Sequence, residues 1–525
     1  MISNRDVLVI GNTLGRIVKN IGLLLLFPIP VAVIYLEWDV IPDFLMSASV
    51  AFTVGLILQV LFHTEDEPKS RHAMVVASLV YGIGAVLAGL PLWTSGSVNT
   101  LLDAAYDGMS GWTGTGLSMV PDVDHLSHAI IFWRSFTHFI GGASVIVFSL
   151  FFLRGVSGGA RLYTSEGREE KIYPSITKTA KAIFSICLFF LLLGSAALII
   201  AGVLNGMSIG QAFFDSVTVS MTAFSTGGFT PHSQNIAYYH SMLYEIIVIA
   251  LCVLGAMNFV LHFTVLTGNI AELRRNIEVI TFSTTVLLLA AIAMSFLLYF
   301  SVYSDAAILF RRGFFQVLIA HTGAGLQNIN PIQLSHEWPY ISLFAVTVAM
   351  LLGAAAGSTS AGIKSIRIGV IIQMFIQEVK KVVLPENAVI VQKYHHLHQI
   401  VVTDRMARSA LLIAAAFVIL FMAGSLVTTI YGYSMNAAMF ETASALGNAG
   451  LSVGITSYTM PPLLKVTHIL LMWAGRLEII AVFVLLGLVY IIFKRLTHVS
   501  TGLYKTREHQ AENLIKTRPP KGLLE

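Results

Sequence analysis

The chain has 525 residues, of which 56% are hydrophobic and only 11% are charged, and its formal net charge is +4. Globular domains carry about 25% charged residues, so this composition excludes a soluble enzyme, a nucleic-acid-binding protein and a secreted disulfide scaffold. The apolar runs are long and continuous, which indicates an all-α integral membrane protein and not a β-barrel. Cys187 and Cys252 lie inside such runs, and we expect both to be buried without forming a disulfide framework.

Ten segments are long and apolar enough to cross a bilayer, which takes about 20 residues. In chain order they are 20–36, 44–62, 73–94, 128–153, 180–204, 241–267, 277–302, 339–376, 408–431 and 464–493. The segment 339–376 is too long for one crossing and its middle is rich in Gly, Ala and Ser, so we expect a break there. Most of the 32 Lys and Arg residues lie in connections on one side of these spans. The positive-inside rule therefore predicts that both termini are cytoplasmic.

Four connections on the other side are too long and too apolar to be plain loops: 100–118, 209–230, 306–327 and 435–452. Each pattern predicts a short helix that ends in a glycine-containing turn. Only the third position of the turn is glycine in all four, namely Gly116, Gly228, Gly325 and Gly450. Because four occurrences of one unit constitute an internal repeat, we expect four parallel helix–pore loop–helix repeats around a pseudo-fourfold axis. Irregular backbone at membrane depth is tolerated inside protein or along a water-filled cavity, and a pore satisfies that condition.

This interpretation divides the chain into six parts. They are an N-terminal two-helix part (1–68), four pore repeats (69–170, 171–275, 276–400 with a broken second helix, and 401–500) and a cytosolic tail (501–525).

The chemistry that such turns favour is cation binding. A bare cation exchanges its hydration shell for oxygen ligands, which backbone carbonyls can supply, and the C-terminal ends of the short helices add negative potential. The candidate filter residues are Thr113, Gly114, Thr115, Gly116, Thr226, Gly227, Gly228, Gly323, Ala324, Gly325, Asn448, Ala449 and Gly450. The carbonyls predicted to bind potassium are those of Thr115, Gly116, Gly227, Gly228, Ala324, Gly325, Ala449 and Gly450. Close helix packing through small residues is the alternative explanation of these glycines.

Several motifs carry a resemblance to a known family. They are MSGWTGTGLS (109–118), FSTGGFT (224–230), FWRSFTHFIGG (132–142), GAAAGSTSAGIKSIR (353–367) and AGRLEI (474–479). The chain resembles the Trk/Ktr/HKT superfamily of potassium transporters, and most of all its TrkH branch, over nearly its whole length. The resemblance implies gated, channel-like potassium uptake without enzymatic activity. In the sodium-selective plant members the first filter glycine is a serine, so Gly116 implies potassium selectivity.

The resemblance also implies a gate under the filter. Its residues would be Gly353, Gly357, Ser358, Thr359, Gly362 and Lys364 in a broken helix, together with Arg476. The glycines themselves disfavour a rigid helix, by about 1 kcal/mol each, although a tightly packed helix is the alternative. An arginine at membrane depth indicates function, and for Arg476 the family implies a barrier to cation leak. A structural ion pair of Arg476, with Glu478 or with an acid of another repeat, is the alternative.

Partners and location follow from the same resemblance. Family members usually form homodimers and recruit a cytosolic ring of nucleotide-binding, RCK-type regulatory subunits. This chain has no GxGxxG motif after a strand, so we expect no cofactor in the chain and a nucleotide only on the partner. Membrane lipid is a further expected partner and nucleic acid is not. The expected location is the plasma membrane, as the inner membrane of a prokaryotic cell.

Other charged residues give further expectations. Arg134 is predicted to brace the first turn by pairing with Asp103 and Asp107, since buried charges are usually paired. Arg311 and Arg312 are predicted to face away from the axis and pair with acids such as Asp305, with an effect on conductance as the alternative. The cluster of His395, His396 and His398 has no nearby acids along the chain. It is predicted to be a solvated or partner-facing surface and not a metal site.

Two other functions compete with a potassium pore. A carrier coupled to sodium or protons would usually show inverted repeats, whereas these repeats are parallel, although coupling of potassium to an ion gradient stays open. An intramembrane enzyme is disfavoured because HExxH and a plausible pair of intramembrane aspartates are absent from the sequence.

Overall fold

A computed structural model describes residues 4–144, 170, 172–385, 390–491 and 494, and these are mostly helical. The first helices are α1 (Asn4–Leu24), α2 (Ile29–Ile34), α3 (Ile41–Leu61), α4 (Ser70–Thr94), α5 (Leu101–Thr113), α6 (His128–Ala143), α7 (Ile176–Leu204), α8 (Ile209–Phe224), α9 (Met242–Ala256) and α10 (Phe259–Leu266). They are followed by α11 (Glu272–Arg275), α12 (Ile277–Tyr299), α13 (Ala306–Leu309), α14 (Phe315–Thr322), α15 (Pro331–Glu337), α16 (Tyr340–Leu351), α17 (Ser365–Val383), α18 (Asp404–Ile430), α19 (Met435–Gly447) and α20 (Pro462–Arg476). The last is α21 (Ile480–Ile491). Strands β1 (Lys393–His396) and β2 (His398–Val401) form an antiparallel hairpin.

The long helices have the length and composition of membrane spans. Among the described residues, six helices are long and apolar enough to cross a bilayer, and the count rises to eight if each of two bent pairs is one span. These helices agree with the prediction of a helical membrane protein. The predicted span 339–376 is broken as expected, because α16 ends at Leu351 and α17 begins only at Ser365. The predicted span 128–153 is described only as far as Ala143, and its residues beyond 144 lie outside the described part of the chain.

Two predicted spans are wrong as continuous helices. The segment 241–267 bends by 104° between α9 and α10, and 464–493 bends by 114° between α20 and α21. At the first bend Asn258 caps α10 with its side chain, and the backbone N–H of Phe259 donates to Gly357 O. The bent backbone therefore finds its hydrogen bonds in the neighbouring loop, which an apolar pattern does not reveal.

The first predicted span also begins too late. The helix starts at Asn4 and not at residue 20. Polar residues near its start obscured it, and Asp6 is among them. Its carboxylate accepts hydrogen bonds from Arg71 at 2.9 Å and contacts His72 at 2.8 Å. Since partners inside the protein satisfy this acid, the helix extends well beyond the apolar run.

Four short helical segments lie between long helices, as the sequence predicts. They are α5, α8, the pair α13–α14 joined by a π-helical turn (Phe310–Phe314), and α19. Side chains cap their first turns, those of Thr100, Ser208, Asp305 and Ser434. A residue with positive φ directly follows three of these segments: Gly114 (73°), Gly323 (76°) and Asn448 (52°). After α8 the residue with positive φ comes one position later and is Thr226 (51°). A left-handed residue at this place ends a helix and redirects the backbone.

Candidate functional site

The four glycine turns, defined as residues 113–116, 226–228, 323–325 and 448–450, meet at one place. A Cβ atom built on Gly116 would lie 2.4 Å from Cα of Gly228, and one on Gly228 would lie 2.8 Å from Cα of Gly325. A Cβ atom on Gly325 would lie 2.9 Å from Cα of Gly450, and one on Gly450 would lie 1.9 Å from the carbonyl oxygen of Thr115. Only glycine fits at these four positions, so the backbones close a ring.

Hydrogen bonds join each turn to the next. Gly228 N donates to Nδ1 of His138, in the helix after the first turn, at 3.1 Å. Gly325 N donates to Gly227 O at 2.8 Å, which joins the second and third turns. Two side chains complete the ring. Gln327 Nε2 donates to Ser452 O at 3.1 Å, and Asn448 Nδ2 donates to Thr115 Oγ1 at 2.8 Å.

The predicted filter residues that carry side chains are all buried. They are Thr113, Thr115, Thr226, Ala324, Asn448 and Ala449. Some of the predicted ligand carbonyls accept hydrogen bonds. Asn235 Nδ2 lies 3.3 Å from Gly228 O and 3.1 Å from Gly325 O. A carbonyl oxygen has two lone pairs, so these oxygens retain the capacity to coordinate a desolvated monovalent cation.

Residues outside the turns support the ring, and sequence reasoning did not single out most of them. The ring of Phe229 lies between two side chains of the helix after the first turn, with the Arg134 guanidinium 4.0 Å from its centroid and the His138 ring stacked at 4.2 Å. Because His138 Nδ1 accepts from Gly228 N, its proton lies on Nε2. The motif FWRSFTHFIGG contained His138, but the sequence did not connect it to Phe229.

The break between α16 and α17, residues 352–364, forms the broken-helix loop beside the glycine turns. Thr359 Oγ1 donates to Gly255 O at 2.8 Å and lies 3.0 Å from Thr226 Oγ1. A Cβ atom on Gly323 would lie 3.0 Å from Ser360 Oγ. The loop therefore touches the second and third turns directly. Its own path requires glycine, since a Cβ atom on Gly353 would lie 1.8 Å from the carbonyl oxygen of Ala361.

The other predicted gate residues lie in or next to this loop. Gly357 and Gly362 have φ of 65° and 76°, and Ser358, Thr359 and Lys364 are buried. Nζ of Lys364 turns back into the loop and donates to Ser360 O.

Arg476 joins three elements around the loop. Its guanidinium donates to Thr359 O at 2.6 Å and to the carbonyls of Gly141 and Gly142 at the end of α6. The alternative ion pair with Glu478 is wrong, because Glu478 pairs with Arg367. Arg476, Lys364 and Glu478 all line a cavity of about 20 Å³ next to the loop. The two cationic side chains outnumber the one carboxylate there, so the local charge is unfavourable to another cation.

The other predicted ion pairs are partly corrected. Arg134 does pair with Asp107, at 3.4 Å, but Asp103 instead pairs with Lys465 of α20.

The expected partner of Arg311 and Arg312 is wrong, since Asp305 caps α13. Arg311 forms two hydrogen bonds with Glu245 of α9, at 2.8 and 2.7 Å. Arg312 lies over the ring of Tyr303 and contacts Gln333 at 3.5 Å. Glu245 and Lys465 are distant along the chain from the residues they pair with, so spacing could not reveal these two ion pairs.

The histidine cluster is also corrected, because acids far away in the sequence surround it. His395 contacts Glu272 at 2.8 Å, and His396 is buried against Glu170. His396 Nδ1 also lies 3.8 Å from Glu278, whose other oxygen accepts from the backbone N–H of Ala356 at 2.6 Å. The β1–β2 hairpin is thereby linked to the broken-helix loop. Among the described residues, no group of three or more His, Cys, Asp or Glu side chains fits a metal ion.

This link predicts a pH-dependent hairpin. Burial by itself lowers the pKa of His396, but the hydrogen bond that its ring donates to Glu170 and the charges of Glu278, Glu170 and Glu272 outweigh it, so the pKa lies above its ordinary value of 6.5. The contact therefore stabilises the fold fully at pH values below the ordinary pKa of histidine. This stabilisation is lost as the pH rises through the raised pKa of His396. We expect amide exchange in residues 393–401, corrected for the intrinsic rate, to quicken between about pH 6 and about pH 8.5.

The control for this experiment is the exposed His398. His396→Gln should abolish the pH dependence, and His398→Gln should preserve it. Equal exchange at both pH values in the wild type would contradict the assigned contact.

Comparisons with known proteins agree with this geometry. The family model described as TrkH, cation transport protein, matches residues 41–489. An uncharacterized cation transporter of Methanocaldococcus jannaschii is 31% identical over 494 residues, which are 93% of this chain and 97% of the relative. The Trk system potassium uptake protein TrkH of Escherichia coli is 29% identical over 454 residues, which are 84% of this chain and 90% of the relative. The crystal structure of the potassium transporter TrkH from Vibrio parahaemolyticus has the same fold, with a TM-score of 0.78 at 24% identity, covering 92% of this chain and 99% of that chain.

Proposed function

The chain belongs to the TrkH family of cation transport proteins, and from that premise we propose that it takes up potassium through a gated, channel-like pore. The single observation that carries the proposal is the ring in which Gly116, Gly228, Gly325 and Gly450 leave no room for side chains. The names of the E. coli TrkH and TrkG relatives, both potassium uptake proteins, support potassium as the cation.

The pore is built from four helix–pore loop–helix repeats around a pseudo-fourfold axis, with the boundaries that the sequence predicts. The hydrogen bonds that join the four turns in succession support this arrangement. Carbonyls of the glycine turns replace the hydration shell of potassium, which is the substrate. The short helices end at these turns, so the negative ends of their dipoles favour a cation there.

The broken-helix loop and Arg476 form the gate. The contact of Thr359 with Thr226 places the loop directly against the second glycine turn, and the bond from Arg476 to Thr359 O holds it there. Opening requires this loop to leave the glycine turns. The link from Glu278 to Ala356 supplies a route by which the hairpin can influence the loop.

The protein lies in the plasma membrane of a prokaryotic cell, with both termini and the β1–β2 hairpin on the cytoplasmic side. The asymmetry of Lys and Arg supports this orientation. It acts as a homodimer and is controlled by a cytosolic nucleotide-binding subunit of the RCK type. Exposed apolar side chains on the spanning helices, such as Leu192, Leu287 and Ile419, provide the surface for lipid and for a second copy.

Removing the gate should leave the pore open. Deletion of residues 355–359 removes the Thr359 contacts, so we expect rubidium flux into proteoliposomes to rise by about tenfold or more, which corresponds to about 1.4 kcal/mol of barrier. Thr359→Val is the smaller variant. It keeps the loop but removes its hydrogen bonds to Thr226 and Gly255, and should raise flux less. A deletion variant that folds, by its elution as the wild-type oligomer, and stays shut would contradict the gate.

The function itself is tested in cells that lack their own potassium uptake systems. The wild type should restore growth at low external potassium and should accumulate rubidium. To test coupling as the alternative, uptake is measured with and without a sodium or proton gradient at constant membrane potential. Uptake that follows only the potassium gradient and the membrane potential supports a pore. Uptake that requires either of the other gradients would make the protein a symporter.

A further inference from the structure

One buried position recurs in all four short helices, nine residues before the filter glycine. The residues there are Asp107, Val219, Gln316 and Glu441. Their side chains are between 0% and 2% exposed. Three of the four are polar, and a buried polar group is costly unless it is hydrogen-bonded. Their hydrogen-bond partners therefore decide what this position does.

Each polar member binds the segment that follows its own glycine turn, at the residue twelve positions later. Asp107 Oδ1 accepts from Met119 N at 2.6 Å, and Glu441 Oε1 accepts from Val453 N at 3.0 Å. In the third repeat the contact is between side chains, from Gln316 Nε2 to Asn328 Oδ1 at 3.0 Å. One contact thus recurs in the same frame and holds the chain just beyond the filter.

The second repeat lacks both halves of the contact. Its helix carries Val219, which cannot accept a hydrogen bond, and the residue twelve positions later is Pro231, which has no backbone N–H. The acceptor and the donor are absent together. Asp215, one helical turn earlier, instead contacts His232 at 2.9 Å. This paired absence indicates that acceptor and donor act as one unit in the first and fourth repeats, where a carboxylate accepts the backbone N–H.

Glu441 is the most extensively bonded member. Besides Val453 N, its carboxylate accepts from Ile455 N at 3.2 Å, from Thr456 Oγ1 at 2.8 Å and from Ser452 Oγ at 2.5 Å. Asp107 has Arg134 as a cationic partner, whereas no ion pair of Glu441 occurs in the described part of the chain. All the bonds of Glu441 thus serve to hold residues 452–456.

The held segment is connected to two glycine turns. It directly continues the fourth turn through Leu451, and Ser452 O accepts the bond from Gln327 that joins the third repeat to the fourth. Loosening of 452–456 would therefore move the carbonyls of Ala449 and Gly450 and release a neighbouring repeat. Small movements of filter carbonyls change which cation they fit.

We propose that Glu441 is a positioning residue that sets the preference of the pore for potassium over sodium. It acts through the segment 452–456 and does not itself touch the ion. The proposal rests on the function proposed above, since it presupposes that the glycine turns are the filter.

The test compares rubidium and sodium uptake in proteoliposomes, as a ratio for each variant. Glu441→Leu fills the same space but leaves Val453 N and Ile455 N without an acceptor. We expect its rubidium-to-sodium ratio to fall about tenfold, since buried unpaired donors are costly enough to displace the segment. Glu441→Gln keeps an acceptor oxygen for both N–H groups, and its ratio should stay within about twofold of the wild type. The matched control is Val219→Ala, which removes buried atoms in the same frame but no hydrogen bond, and should leave the ratio unchanged.

The outcomes separate this proposal from the function on which it rests. A wild type that prefers neither ion contradicts the proposed function. A selective wild type with a Glu441→Leu variant of the same selectivity overturns the role of Glu441. If the leucine variant does not fold, Ser452→Ala combined with Thr456→Val keeps the carboxylate and removes two of its donors. That protein should show a fall of about threefold in the ratio, and an unchanged ratio would again overturn the proposal.

Discussion

Gly116→Ser should raise sodium permeation relative to rubidium by about tenfold, a change of about 1.4 kcal/mol between the two ions. Gly116 has a φ of 102°, which side chains other than glycine rarely adopt, and a Cβ atom there would lie 2.4 Å from Cα of Gly228. A serine must therefore displace the second turn and alter the spacing of the carbonyls around the ion. The measurement is the ratio of sodium to rubidium uptake in proteoliposomes.

The control for this substitution separates backbone strain from filter geometry. Gly206 also has a positive φ, 88°, but no atom would lie within 4 Å of a Cβ atom there. Gly206→Ser should carry similar local strain and leave selectivity unchanged. If Gly116→Ser and Gly206→Ser both keep the wild-type ratio of sodium to rubidium uptake, the assignment of the filter to the glycine turns is wrong.

Arg476→Ala should increase rubidium flux by about tenfold or more, since removal of one charge from a narrow, poorly solvated passage lowers the barrier by about 1.4 kcal/mol or more. The structure adds a second reason. The guanidinium donates to Thr359 O and to carbonyls at the end of α6, so its loss also frees the broken-helix loop. The measurement is the initial rate of rubidium uptake per reconstituted protein.

Two further variants test how the arginine acts. Arg476→Lys keeps the charge but not the branched set of hydrogen bonds, and should raise flux less than alanine does. Arg274→Ala removes an exposed arginine between spans and should have no effect. Flux that stays level or falls in a folded Arg476→Ala protein would contradict the barrier.

The sequence was most informative where one pattern recurs. The four glycine turns could be placed because helix, turn and span follow each other in the same order each time, and the structure brings Gly116, Gly228, Gly325 and Gly450 together. The break after Leu351 could be placed because glycine and alanine are concentrated there. The family could be recognised from motifs that lie in these same elements, and the comparisons confirm it.

The sequence was least informative about contacts between distant segments. The bend before Phe259 depends on a bond to Gly357, almost a hundred residues later, and an apolar run predicts only a straight helix. Arg311 was assigned to Asp305 because that acid is near in sequence, whereas its partner Glu245 lies on a helix of the preceding repeat. His396 likewise lies against Glu170 and not in solvent.

Some supporting residues did leave a signal in the sequence. Alignment of the four repeats places Glu441 in frame with Asp107 and Gln316, and Val219 in frame with them as the exception. Pro231 lies twelve residues after Val219, and Val453 lies twelve residues after Glu441. Only the hydrogen bond from Val453 N to Glu441 explains why a proline can stand at this position when the acceptor is absent. Recurrence can therefore indicate a supporting position, whereas its role requires the coordinates.

The most direct test of a potassium-selective pore is rubidium uptake into proteoliposomes loaded with potassium, compared with vesicles loaded with sodium. The Arg476→Ala protein is measured beside the wild type, because a missing regulatory subunit could leave the wild type shut. We expect strong uptake into potassium-loaded vesicles and weak uptake into sodium-loaded ones, in the wild type or at least in the variant. Equal uptake into both kinds of vesicle, or no uptake by either folded protein, would contradict a potassium-selective pore at the four glycines.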